Sequence, residues 1–249
     1  MASMNRVQVV QSFREVHVPP WIEQCLESVQ HWAAEAGFAY RFEGDALLAR
    51  APAWYRDKVG SRTPIVADLA RLEWMHSLLQ AGDADVALWL DADTLIFAPD
   101  RFAWTPPARC QFGLEAWWQA DARNANGRVY RNVHNAFCAF HRDSAVLPFL
   151  IETVKVLMER VDAAHLAPQF VGPKLLTSLH NTLGFDLEPR VGAVSPRLAN
   201  AIMAADEAAL TRYREACGVE LTGANLCASL ADEIPHAALV DALLSRGSL

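Results

Sequence analysis

No run of apolar residues approaches the roughly 18 to 20 that a membrane-spanning helix needs, although 52% of the 249 residues are hydrophobic. The opening "NRVQVVQ" also lacks the continuous apolar segment of a secretory signal, and the preceding "MASM" reads as a cloning remnant. Cysteine is scarce: Cys25, Cys110, Cys138, Cys217 and Cys227 form no Cys-x-x-Cys pair, and their number is odd. That pattern argues against a disulfide framework or a structural zinc site, and points to reduced core thiols in a cytoplasmic protein. Glycine-rich phosphate loops are missing. There is no Gly-x-Gly-x-x-Gly, no Gly-x-x-x-x-Gly-Lys and no Gly-x-Ser-x-Gly elbow. Positive charge is in deficit, 22 Lys and Arg against 29 Asp and Glu for a net charge of -7. Broad attraction to nucleic acid or to an acidic membrane is therefore not expected, while a local basic patch is left open.

What is present is an ordered α/β pattern, in a chain long enough for one large domain or two small ones. "RVQVV" reads as a first strand. "PPWIEQCLESVQHWAAEAGF" follows as a helix, with Pro20 in its first turn, apolar residues at helical spacing and Gly37 at its end. "AYRF" is a second strand. "RTPIVADLARLEWMHSLLQAGD" is a helix with Thr63 as its cap, Pro64 at its first position and Gly82 just past its end. "VALWL" is apolar without alternation, as in a strand covered on both faces. This order implies a parallel sheet with right-handed crossovers. Further on, "CQFGLE" and "NAFCAFHR" read as strands flanking "QADARNANGRVYRNVH", a polar stretch long enough to be a functional loop. Its Arg123, Arg128 and Arg131 suit either solvent or a phosphorylated or lipid-linked acceptor. "SAVLPFLIETVKVLMERVD" and "GPKLLTSLHNTLG" read as helices. All eight tryptophans precede residue 119, yet no linker divides the chain.

The chemistry concentrates in "WLDADTL". A strand that ends in Asp91 and Asp93 points both carboxylates to one side. Two unrelated enzyme types use such a pair. The segment matches the first motif of haloacid-dehalogenase phosphohydrolases, in which Asp91 would attack phosphorus and Asp93 would act as general acid and base. That reading needs a later lysine and acidic pair, for which Lys174 and Asp232 with Glu233 are available. It also puts the motif on a first strand, whereas about ninety residues of α/β sequence precede it here. The alternative is a Mg²⁺ or Mn²⁺ held by the carboxylates against the diphosphate of a nucleotide-sugar.

Five segments in order, "PPWIEQCLESVQHWAAEAGFAYRF", "PIVADLARLEWMHSLL", "WLDADTL", "NAFCAFHRDSAVLPFLIETV" and "VGPKLLTSL", resemble glycosyltransferase family 32, which includes capsular polysaccharide, lipopolysaccharide and α-mannosyl transferases. The resemblance implies a GT-A-like single α/β domain with a Rossmann-like, mostly parallel central sheet flanked by helices. Its donor-binding part would span about 5–140 and its acceptor-side part about 141–249. It implies transfer of a sugar, with retention, from a UDP- or GDP-sugar to a hydroxyl on a glycan or lipid-linked acceptor, at or near the inner membrane face. Asp91 and Asp93 would be the catalytic and metal-binding pair. Phe13, Asp68, Arg71, Asp91 and Asn135 would contact the donor, with Phe13 placed to stack on the base. Gly172, Pro173 and Trp117 would lie on the acceptor side, Trp117 and Trp118 forming a platform for sugar rings. Asn225 or Ser229 would complete the metal shell. An ordinary helix-surface ion pair is the competing reading of Asp68 and Arg71, and strand capping that of Asn135. His180 and His236 read as packing residues, and Glu115 as near the reacting carbon without a catalytic role.

Overall fold

The computed structural model describes residues 5–166 and 169–249; the opening tetrapeptide lies outside them. The first half alternates as its sequence suggests: strand β1 (Val7–Ser12), helix α1 (Pro20–Glu35), strand β2 (Ala39–Glu43), helices α2 (Ala53–Val59) and α3 (Thr63–Ala81), then strand β3 (Val86–Leu90). A short strand β4 (Thr94–Ile96) follows, and then a long hairpin of β5 (Cys110–Asp121) and β6 (Asn124–His141). The remaining elements are α4 (Val146–Arg160), α5 (Pro173–Leu183), β7 (Asp186–Glu188), β8 (Val191–Ala193), α6 (Pro196–Met203), α7 (Glu207–Cys217), β9 (Gly223–Asn225) and α8 (His236–Arg246).

The central sheet has the order β2-β1-β3-β6-β5-β7, in which β6 alone runs against the others. It is a mixed α/β architecture with a mostly parallel sheet between helices. β3 explains why the sheet is covered twice. Its Val86, Leu88 and Leu90 join one core with Val29 and Trp32 of α1, whereas Ala87 and Trp89 join another with α3 and α4. Successive side chains of a strand point to opposite faces, so an unbroken apolar pentapeptide requires helices on both sides. A third core gathers α6, α7 and α8 beneath Ala116 and Trp118 of the hairpin.

A second sheet, β4-β9-β8, ties the C-terminal region to the segment that follows β3. β4 and β9 pair antiparallel, Thr94 opposite Asn225 and Ile96 opposite Gly223. Gly223 is required there: a Cβ on it would lie 2.7 Å from Ile96 Cδ1 and 3.1 Å from Leu95 O.

Three local expectations change. Helix α3 begins one residue early, so Thr63 is its first residue, Arg62 occupies the cap position and no side chain caps it. The polar stretch at 119–134 is no loop: apart from the tight turn at Ala122–Arg123, it is hydrogen-bonded strand continuing Trp117 opposite Tyr130 and Glu115 opposite Asn132. Its backbone groups are satisfied by the ladder whatever the side chains, which is why polarity misled. Trp117 and Trp118, adjacent on β5, point to opposite faces, and Trp118 is buried against Tyr213. They form no common platform.

The five thiols are unpaired, four of them buried and Cys227 half-buried. Among the described residues, no helix is long and apolar enough to cross a membrane.

Candidate functional site

Asp91 and Asp93 leave the C-terminal end of β3 on a bend, with Ala92 between them. The backbone there is anchored: Asp91 N donates to Ala136 O at 2.8 Å, Thr94 N to Asp91 O at 3.0 Å and Leu226 N to Asp93 O at 2.8 Å. Gln11 Nε2 of β1 also donates to Asp91 O, at 3.1 Å. The pair opens into a cleft of about 320 Å³ whose walls include Phe13 and Arg14 after β1, Gly44, Asp45, Leu47, Pro64 and Ala67 of α3, Arg71, Trp89 and Ala228. This is the size range of small-molecule sites, placed beyond the carboxyl ends of β1 and β3, where open α/β sheets carry ligands.

The two carboxylates have different surroundings. Asp91 Oδ1 accepts from Arg71 Nη1 at 2.8 Å and from Trp89 Nε1 at 2.6 Å. Both donors converge on one oxygen, so Oδ2 has no hydrogen-bond donor among the described residues and is the atom left for a ligand. Asp93 Oδ1 accepts from Asn225 Nδ2 at 2.6 Å, and its Oδ2 from Ala228 N at 2.7 Å. Each oxygen keeps one further lone pair. Burial, then repulsion from Asp91, holds the Asp93 carboxyl above the ordinary carboxylate range, against the pull of its hydrogen bonds. A cation in the cleft would relieve that repulsion.

Arg71 is the hub behind the pair. It is 7% exposed, so it is no surface residue. Its Nη1 also donates to Asn135 O at 2.9 Å, its Nη2 lies 3.1 Å from Asp68 Oδ1, its Nε donates to Ala67 O at 3.3 Å, and its plane stands 4.9 Å from the Trp89 ring centroid. Burial opposes the charge on Arg71, but Asp91 and Asp68 more than offset it and raise its pKa. Asp68 in turn accepts from Asn135 Nδ2 at 2.7 Å. Its carboxyl is pushed up to about 6, chiefly by burial, which Arg71 and Asn135 only partly counter.

The expected residues therefore separate. Phe13, Arg71, Asp91 and Asp93 line the cleft together. Asp68 and Asn135 lie behind Arg71, around a small apolar cavity with Leu72, Phe112 and Leu176, and reach the cleft only through it. Gly172 abuts them, since a Cβ there would sit 3.0 Å from Asp68 Oδ2 and 3.3 Å from Asn135 Nδ2. Pro173 opens α5 at the edge of a separate pocket of about 500 Å³ that also contains Glu115. Trp117 stands further along the hairpin, outside the cleft.

Asn225, expected in the metal shell, lies beside Asp93. Its Nδ2 donates to Asp93 and its Oδ1 accepts from Cys227 N at 3.0 Å, so in this arrangement it positions Asp93. Sequence reasoning missed Ala228, whose backbone N–H carries no side-chain signal. The residues the phosphatase reading needs are elsewhere: Lys174 lines the second pocket, and Asp232 and Glu233 are exposed on a turn outside the cleft. Arg131 donates to Ala216 O and Cys217 O at the end of α7, and Arg128 lies over Tyr130. His236 stacks on Trp21, and His180 accepts from Phe185 N.

Among the described residues, no group of three or more His, Cys, Asp and Glu side chains could hold a metal. Asp91 and Asp93 fit a cation only as two of its ligands, which is the usual arrangement when substrate phosphates and water complete the shell.

No family model matches the sequence, and no curated protein matches it at a significant level. Among solved structures, the chain is similar to a glycosyltransferase involved in the glycosylation of the major capsid of PBCV-1, at 11% identity and a TM-score of 0.45, over 95% of this chain and 98% of that one. An overlap that loose assigns no function.

Proposed function

We propose that the chain is a metal-dependent glycosyltransferase that uses a nucleotide-sugar donor. The observation that carries this reading is the Asp91–Asp93 pair at the end of β3, with Asp91 Oδ2 left without a donor in a cleft that Phe13 also lines. A nucleoside diphosphate has the matching polarity: an aromatic base for the Phe13 side, and phosphate oxygens for a cation at the carboxylates. When bound, Mg²⁺ or Mn²⁺ would neutralise the charge that develops on the departing diphosphate.

The protein's own residues do the rest. Arg71 and Trp89 fix the rotamer of Asp91, Asn225 and the Ala228 N–H fix Asp93, and α3 holds Arg71 through the buried Asp68. Binding geometry set in this way costs little reorganisation at the moment of reaction. The resemblance of the segment order to glycosyltransferase family 32 adds the GT-A-like assignment, a UDP-hexose as first choice of donor and retention of configuration. A phosphohydrolase is disfavoured, because Asp91 is tied down by Arg71 and Trp89 while its necessary lysine and acidic partners are absent from the cleft.

The test is calorimetric titration with UDP and then GDP, with and without MnCl₂, on the wild type and on Asp93→Ala. Metal-dependent binding that the variant loses supports the reading. No nucleotide binding, together with hydrolysis of p-nitrophenyl phosphate that Asp91→Asn abolishes, sinks it.

A further inference from the structure

The second pocket, of about 500 Å³, is lined by Glu115, Asn132, Gln169, Pro173, Lys174, Thr177 and Ser178. Six of these seven side chains carry hydrogen-bonding groups, and they come from three places: the hairpin, the segment before α5, and α5 itself. Glu115 is held in place by Asn132 Nδ2 at 3.3 Å, and burial raises its pKa above the usual carboxylate range. Thr177 Oγ1 accepts from Val133 N at 3.0 Å, which locks α5 to the strand. One carboxylate and one ammonium leave the lining without net charge. Among the described residues, no carboxylate lies within salt-bridge distance of Lys174.

The hairpin extends this pocket in a regular way. Glu115 and Asn132 are cross-strand partners, and so are Trp117 and Tyr130 two residues along. Side chains two apart share a face of the sheet, about 7 Å apart. The polar pocket is therefore followed, on the same face, by a partly exposed aromatic pair, with Tyr130 37% exposed. The Arg128 guanidinium lies 4.8 Å over the Tyr130 ring, which leaves Trp117 as the open aromatic surface on that side, whereas Ala116 and Trp118 fill the opposite face.

We propose that this pocket and the Trp117 ring together form a binding site for an uncharged saccharide of two or more rings. Hydroxyls of the first ring meet Glu115, Asn132, Lys174 and Ser178, and the C–H face of the next ring rests on Trp117. Resting on the transferase reading above, this identifies the acceptor as a neutral glycan end. The start of α5 runs from the residues behind Arg71 to this pocket: a Cβ on Gly172 would lie against Asp68 and Asn135, while Pro173 and Lys174 line the pocket.

The test applies the labelled full chain to a printed array of neutral and anionic oligosaccharides, as wild type and as Trp117→Ala, Asn132→Ala and Glu115→Gln. The wild type is expected to bind a subset of neutral saccharides of two or more rings, and each variant to lose at least tenfold. Their melting temperatures and their UDP–Mn²⁺ titrations are expected to match the wild type, which separates a lost contact from a lost fold. Binding to no saccharide, binding to anionic ones alone, or binding that all three variants retain overturns the proposal. Nucleotide binding absent from the wild type, with saccharide binding still lost in the variants, sinks the transferase reading and leaves the saccharide site standing.

Discussion

Replacing Arg71 by methionine removes the one cation among the described residues that pairs with Asp68 and Asp91 at once, and keeps most of the side-chain volume. Two carboxylates, one of them deeply buried, then lose their partner. Stranding a buried charge in this way typically costs about 3–5 kcal/mol. In a domain of this length that is on the order of 6–20 °C in melting temperature. The pH dependence makes the test specific. In the wild type the Asp68 carboxyl already titrates near 6 rather than in the usual carboxylate range. Because the folded state holds its proton more tightly than the unfolded state, the associated stability is full at low pH and is lost as pH rises through the folded value. Without Arg71, the folded value moves higher still. Every pH unit by which it rises above about 6 adds roughly 1.4 kcal/mol to the cost measured at alkaline pH. Urea unfolding at pH 5.5 and 8.0 should therefore give a destabilisation at pH 8.0 that shrinks clearly at pH 5.5. A loss below about 1 kcal/mol at pH 8.0, or the same loss at both pH values, would refute the account of Arg71 as the neutralising hub.

Phe13→Ala should weaken metal-dependent nucleotide binding by about 1–3 kcal/mol, the usual worth of one base–aromatic stack, and leave the denaturation midpoint near wild type; calorimetry with UDP or GDP reads it. Gly172→Ala puts a methyl group 3.0 Å from Asp68 Oδ2 and should cost about 1–3 kcal/mol of stability by overpacking, measured by urea titration. Asn225→Ala takes the donor from Asp93 Oδ1, so the carboxyl, already raised by burial, binds a proton more readily. Since a proton and a cation compete for it, the pH below which metal-dependent nucleotide binding fails should move upward, which a titration series from pH 5 to 8 would reveal.

How much of this was legible in the sequence depended on whether the signal was local. The unbroken "VALWL" announced a strand covered twice, and β3 is buried on both faces. The capping glycines of α1 and α3 are read from single positions, as are the two aspartates at the end of β3. Phe13 and Arg71, expected from the resemblance, line the cleft beside them. The hairpin escaped because a ladder satisfies backbone groups regardless of side-chain polarity, so a strand exposed on one face looks like a loop. The tertiary structure alone decided the rest. Asn225 and Ala228 reach Asp93 from more than 130 residues away, through pairing of two three-residue strands too short to carry a periodicity. The division of labour between Asp91 and Asp93, one with an open oxygen and one with a donor on each oxygen, depends on which donors happen to converge in space. So does the placing of Glu115, Asn132 and Lys174 around one pocket. Sequence determines which side chains an element presents; only packing determines what they meet.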